Sequence, residues 1–106
     1  MPSNHLLVLT TCPDAGTAGT IARTLVEERL AACVNRLDGV VSTYRWQGAM
    51  QQESECLLLI KTTAVAFDRL EARLLALHPY ELPELVAVPV ERGSAAYLDW
   101  LTGTTT

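Results

Sequence analysis

Two strand-length runs, His5 to Cys12 (HLLVLTTC) and Glu53 to Thr62 (ESECLLLIKT), constrain this chain more than any other feature, because both are apolar at successive positions rather than at alternate ones. Successive residues of a strand face opposite sides of a sheet. A run without alternation therefore needs cover on both faces, which is the signature of a central strand. Both runs lie in a chain of 106 residues, a length that fits one domain and leaves little room for a second. We read residues 1–106 as a single domain with its core at about 5–101. Hydrophobic residues make up 49% and charged residues 19%, against a usual charged share of about 25%, so the apolar surplus must be buried somewhere.

The punctuation between these runs sets the order of elements. Cys12-Pro13-Asp14-Ala15-Gly16 ends the first strand with turn formers. From Thr17 to Ala32, Ile21, Ala22, Leu25, Val26, Leu30 and Cys33 recur at helical spacing, with Arg23, Glu27, Glu28 and Arg29 on the polar side. Val34 to Leu37 leads to Asp38-Gly39, read as a turn, and Val40 to Trp46 is rich in β-branched and aromatic residues. Gln47-Gly48 then signals a hairpin or bulge before the second apolar strand. Thr62 or Thr63 is placed to cap a helix with Phe67, Leu70, Leu74 and Leu77 on one face. His78-Pro79 stops that helix, since a residue before proline is pushed out of the helical region. Glu84 to Glu91 is the last strand, and Pro89 within it favours an edge. Ser94 caps a short helix, Ala95 to Leu101, and the polar tail Thr102 to Thr106 is expected to fray.

The order is β-α-β-β-α-β plus a short C-terminal helix. It implies an α+β, ferredoxin-like antiparallel sheet with the first and third strands central and the fourth at an edge. Two long helices cover one face of such a sheet, and the short third helix is too small to cover the other. Each exposed leucine on that second face contributes about 1.5–3 kcal/mol when buried, so the pattern predicts a homo-oligomer.

The same composition excludes several classes of function. Eight Lys and Arg against twelve Asp and Glu give a net charge of −4, and no basic run is present, so a nucleic-acid partner is not expected. The apolar runs are far shorter than the roughly 20 residues of a membrane span, and no basic segment precedes the first of them. Cys12, Cys33 and Cys56 are widely spaced without a CxxC, which signals neither a disulfide framework nor a zinc site and suits a reducing, cytoplasmic setting. The chain has two histidines, His5 and His78, neither in a nucleophile motif, and there is no GxGxxG, P-loop or HExxH. Nothing in it argues for an enzyme.

The segment His78-Pro79-Tyr80-Glu81-Leu82-Pro83-Glu84 concentrates the remaining chemistry: an imidazole, two carboxylates and a phenol between two prolines. Imidazole and carboxylate suit divalent metals from zinc to copper, and Cys12 at the end of a central strand is the best placed thiol to join them. The alternative for His78 is a helix terminator whose ring caps the last carbonyls. Glu84 can equally be a solvated strand start, and Cys33 and Cys56 read as small buried hydrophobes. Lys61 follows a wholly apolar run and either reaches solvent along its stem or pairs with a carboxylate such as Glu84 at a subunit junction.

Six segments together resemble the CutA family, the divalent cation tolerance proteins. They are Thr10-Thr11-Cys12-Pro13-Asp14, Leu25 to Asn35 (LVEERLAACVN), Ser42 to Gly48 (STYRWQG), Ile60-Lys61-Thr62-Thr63, His78 to Glu84 (HPYELPE) and Tyr97 to Leu101 (YLDWL). The resemblance implies a ferredoxin-like protomer in a tight homotrimer, with edge strands pairing between neighbours and an architecture similar to PII signalling proteins. It also implies tolerance of copper and other divalent cations, with copper(II) or another divalent metal bound through a Cys, a His and a Glu and not required for folding. Glu84 matches the motif glutamate, His78 is the motif histidine, and Cys12 is the first-strand cysteine, which elsewhere in the family can sit nearer Thr10. The other role the resemblance implies is a PII-like signalling or scaffold trimer, with a small metabolite or anion in an intersubunit cleft near Trp46, Lys61, Tyr80 and Glu84.

Overall fold

The computed structural model describes residues 4–106. In chain order the elements are β1 (His5–Cys12), α1 (Ala15–Glu27), β2 (Cys33–Trp46), β3 (Ala49–Thr63), α2 (Phe67–Leu77), β4 (Val86–Pro89) and α3 (Ala95–Thr104). The four strands form one antiparallel sheet in the order β2-β3-β1-β4, so the two apolar runs are its central strands and the proline-bearing strand lies at an edge. This is the expected α+β, ferredoxin-like arrangement. No helix of the described residues is long and apolar enough to cross a membrane.

Strand alternation divides the central strands between two environments. Register pairs Val8 with Ile60, Thr10 with Leu58 and Cys12 with Cys56, and these side chains face the helices. They pack with Ala18, Ile21 and Leu25 of α1 and Leu70 and Leu74 of α2 into the buried core. The intervening pairs, Leu7 with Lys61, Leu9 with Leu59 and Thr11 with Leu57, face the other side. There Leu7, Leu9, Leu57 and Leu59 are only half-buried, and Leu37, Val86 and Val88 are 45%, 52% and 45% exposed. α3 reaches that side with Tyr97, whose ring lies under Lys61, and leaves most of it open.

β2 and β3 outrun their neighbours. β3 pairs with β1 only from Cys56 to Thr63, and its pairing with β2 continues to Ala49 and Trp46, so residues 40–55 project as a two-stranded arm. The tip is Gln47-Gly48, with φ of 50° and 79°, the left-handed pair that a two-residue hairpin turn needs. Val41 and Met50 on the arm are 61% and 74% exposed.

Several boundaries differ from the sequence expectation. α1 ends at Glu27 rather than Ala32. Arg29 enters the left-handed region at φ 60°, its N–H donates to Val26 O and the Leu30 N–H to Leu25 O, which closes the last turn. Leu30 and Ala31 stay buried without being helical, so the apolar spacing runs past the helix. Asp38-Gly39 is a bulge inside β2, not a turn before it: the register shifts between Leu37 and Val40, with Gly39 at φ 76°. β3 continues through Thr63, whose Oγ1 accepts from the Ala66 N–H, so α2 starts later, at Phe67. β4 is shorter than the expected strand.

The C-terminal segment is tied down rather than frayed. Ser94 caps α3 as expected, accepting from the Tyr97 N–H. The helix then runs on to Thr104, where Arg29 Nε and Nη2 donate to the Thr104 and Gly103 carbonyls. The Thr106 N–H donates to Arg29 O at 2.9 Å, and Arg69 donates to Thr106 O.

Candidate functional site: an acidic cavity beside the hairpin arm

α2 ends where expected, with His78 as its C-cap in extended conformation. Pro79 and Pro83 then stiffen the loop that crosses from α2 to β4. This loop and the arm enclose a cavity of about 760 Å³. Its walls are Ser42, Thr43, Tyr44 and Trp46 from β2, Gln51, Glu53 and Glu55 from β3, Thr11 from β1, and Tyr80, Glu81, Leu82 and Glu84 from the loop. Thr11, Gln51, Glu53 and Glu55 share the open face with Leu57 and Leu59 by strand alternation.

A short polar network fixes the loop. Tyr80 Oη donates to Glu55 Oε2 at 2.6 Å, and Glu55 is buried there at 7% exposure. Burial, and then the Glu55 carboxylate, push the Tyr80 phenol well above its ordinary range, so it stays a donor. His78 is buried as well. The Tyr80 N–H donates to its Nδ1 at 3.2 Å, which places the proton on Nε2, and Nε2–H donates to the Thr11 carbonyl at 2.8 Å. The two rings lie 4.8 Å apart. The His78 N–H closes α2 on the Leu74 carbonyl, while its ring ties the loop to β1 instead of capping the helix carbonyls.

The expected metal-binding set is not gathered within one chain. Among the described residues no group of three or more His, Cys, Asp or Glu side chains is close enough to hold a metal ion. Cys12 is wholly buried on the helix-packed face, opposite Cys56 and in the core cluster, whereas Glu84 lines the cavity beside Thr11 and Glu55 of the open face. Burial and then Cys56 push the Cys12 thiol up to about 11, so it keeps its proton in the folded chain. His78 has no free lone pair, because Nδ1 is already an acceptor and Nε2 a donor. As a ready metal site within one chain, Cys12, His78 and Glu84 do not fit.

Of the expected cleft residues, the structure brings Trp46, Tyr80 and Glu84 into one cavity. Lys61 stands apart from it, paired with Leu7 and Cys33 in the sheet, with Nζ 5.9 Å from the centre of the Tyr97 ring. The sequence reading missed Glu53 and Glu55. The signal available for them was spacing: Gln51, Glu53 and Glu55 are alternate residues, and register sets them opposite Tyr44, Ser42 and Val40. The cavity wall thus carries four carboxylates, Glu53, Glu55, Glu81 and Glu84, and no Lys, Arg or His. Glu55 is occupied by Tyr80, and Glu53 lies beside the Tyr44 hydroxyl. Glu81 and Glu84 are left without a donor among the described residues.

Comparison with known proteins places this architecture. The family model of the CutA1 divalent ion tolerance protein matches residues 6–104. The divalent-cation tolerance protein CutA of Thermus thermophilus is 56% identical over 95 residues, 90% of this chain and 92% of its own length. Protein CutA of Mus musculus is 41% identical over 95% of this chain, which spans 57% of the mouse protein. The crystal structure of CutA from Xylella fastidiosa superposes with a TM-score of 0.95 at 51% identity, covering 98% of this chain and 100% of the other. The chain belongs to the CutA1 divalent ion tolerance protein family.

Proposed function

We propose that this protein is a cytoplasmic homotrimer that takes up a divalent cation, copper(II) among them, in the acidic cavity beside the hairpin arm, and that this uptake serves divalent-cation tolerance. One observation carries the reading: the cavity wall holds four carboxylates and no basic side chain. Such a wall concentrates cations and repels anions. Carboxylate and phenol oxygens suit hard and borderline divalent ions, and the affinity order of first-row metals places copper(II) highest at any such donor set. Because the carboxylates of one chain do not converge on a single point, the cavity calls for closure by a second copy. The half-buried leucines of the open face supply the surface for it. Similarity to the divalent-cation tolerance protein of Thermus thermophilus supports the cation reading.

The signalling alternative, a metabolite or anion held by Trp46, Lys61, Tyr80 and Glu84, has less to stand on. Its one cation, Lys61, lies over the Tyr97 ring, outside the cavity.

Isothermal titration of copper(II) and manganese(II) into the wild type and into Glu81→Gln/Glu84→Gln tests the proposal. A saturable event that weakens at least tenfold in the double variant supports it. Equal affinity in both proteins contradicts it.

A further inference from the structure

We propose that Cys12 and Cys56 form an oxidisable cross-strand dithiol, closing to a disulfide under a hydroperoxide at the base of the hairpin arm. This is independent of the cation reading. Three observations carry it.

The first is register: Cys12 and Cys56 are directly opposite each other as the last pair of the β1–β3 ladder. Directly opposed residues of an antiparallel pair have Cα atoms about 4.5–5.5 Å apart, inside the roughly 4.4–6.8 Å that a disulfide spans. The second is direction: both side chains face the helices, both belong to the core cluster, and both thiols are free. The third is what holds the reduced state. Cys56 Sγ donates to Asp38 Oδ1 at 3.2 Å, and Arg36 pins the same carboxylate at 2.9 Å. Closing the bridge turns Cys56 away from that bulge and towards β1.

The chemistry balances with the oxidant named. Once the pair opens to solvent one thiol gives up its proton, the thiolate attacks the hydroperoxide, the O–O bond breaks, and a sulfenic acid and an alcohol (water, for hydrogen peroxide) result. The second thiol then displaces water from the sulfenic sulfur to form the S–S bond. Two thiols lose two hydrogens and two electrons, and the hydroperoxide gains them. Attack requires the pair to open, since Cys12 and Cys56 are 0% and 6% exposed. It lies at the end of the ladder, where β1 stops and β3 continues into the arm, and such ends open first. The neighbours of the two cysteines, Thr11 and Glu55, line the cavity, so the bridge would join the two strands directly behind its wall.

Cys33 is an internal control, because its register partner is Lys61 and no cysteine opposes it. The test is to treat the protein with hydrogen peroxide, alkylate it under denaturing conditions and map peptides by mass. The expected result is a linked Cys12–Cys56 peptide two hydrogens lighter than its reduced parts, reversed by dithiothreitol, with Cys33 recovered alkylated. In Cys12→Ser and Cys56→Ser the remaining thiol of the pair should gain oxygen instead of forming a link. Oxidation of the wild type at Cys33 alone, or with Cys12 and Cys56 gaining oxygen separately, would overturn the proposal. The wild-type map decides this even if a serine variant fails to fold.

Discussion

The two faces of the central strands are built from almost the same residues and have opposite fates. Leu58 and Ile60 are fully buried beneath α1 and α2, while Leu57 and Leu59, one step along the same strand, are half-buried and face away from them. Composition does not distinguish the two sets, since all four are large aliphatic side chains. What separates them is the number of long helices, which suffices for one face. The core face accounts for the stability of the single chain, and the open face is the surface that the proposed assembly buries.

The sharpest way to break this comparison is to alter neighbours on β3. Leu58→Ala leaves a cavity in the core and should destabilise by about 2–5 kcal/mol in denaturant unfolding. Leu59→Asp should leave the secondary structure of the chain intact by circular dichroism and abolish its assembly, read by light scattering. If Leu59→Asp unfolds the chain as severely as a core substitution, the two faces are not different in kind.

The cavity lies on the open side, and its anchor is testable at a smaller scale. Tyr80→Phe removes the donor to buried Glu55 and should cost about 1–3 kcal/mol, the usual penalty for a buried polar group left unpaired. A loss confined to surface-like values would mean that Glu55 finds water instead.

Titration probes both faces. The Cys12 thiol, buried in the helix-packed face, is raised from 9.0 to about 11, and the Tyr80 phenol is raised above its ordinary 10.0. Each group therefore holds its proton in the folded state over a range where the unfolded chain has released it. By linkage, stability present in full below pH 9 should fall between pH 9 and 11. Cys12→Ser should flatten the first part of that fall in the denaturation midpoint, and a profile unchanged by the substitution would contradict the assignment.

The smallest effect is expected on the outer side of the helical layer, where Arg73 makes a bidentate pair with Glu28 in solvent. Arg73→Ala should leave the denaturation midpoint almost unchanged, because exposed pairs contribute little. A larger loss would mean that this layer leans on its ion pair as well as on its apolar contacts.

Much of the architecture is legible in the sequence. The apolar runs of β1 and β3, the proline of β4, and the caps at His78 and Ser94 each work through local chemistry that a sequence displays. What was not readable depended on direction. The place of Cys12 at the end of a strand suits a ligand, but a period of two cannot say which face the helices cover, and the helices cover its own. Leu30 and Ala31 keep the helical spacing after Arg29 has ended the helix, because burial outlasts the hydrogen-bond ladder. Asp38-Gly39 does not reveal in sequence whether it is a turn or a bulge, because a left-handed glycine serves both equally well. Glu53 and Glu55 looked like the polar start of a strand, since nothing local reveals that the loop from His78 to Glu84 folds over them.

The central claim is that the open face is an assembly surface, and the most direct measurement is multi-angle light scattering of the wild-type protein at micromolar concentration. A single species of three times the chain mass, lost in Leu59→Asp, is the expected result. A wild-type protein that elutes as a stable monomer would contradict the account.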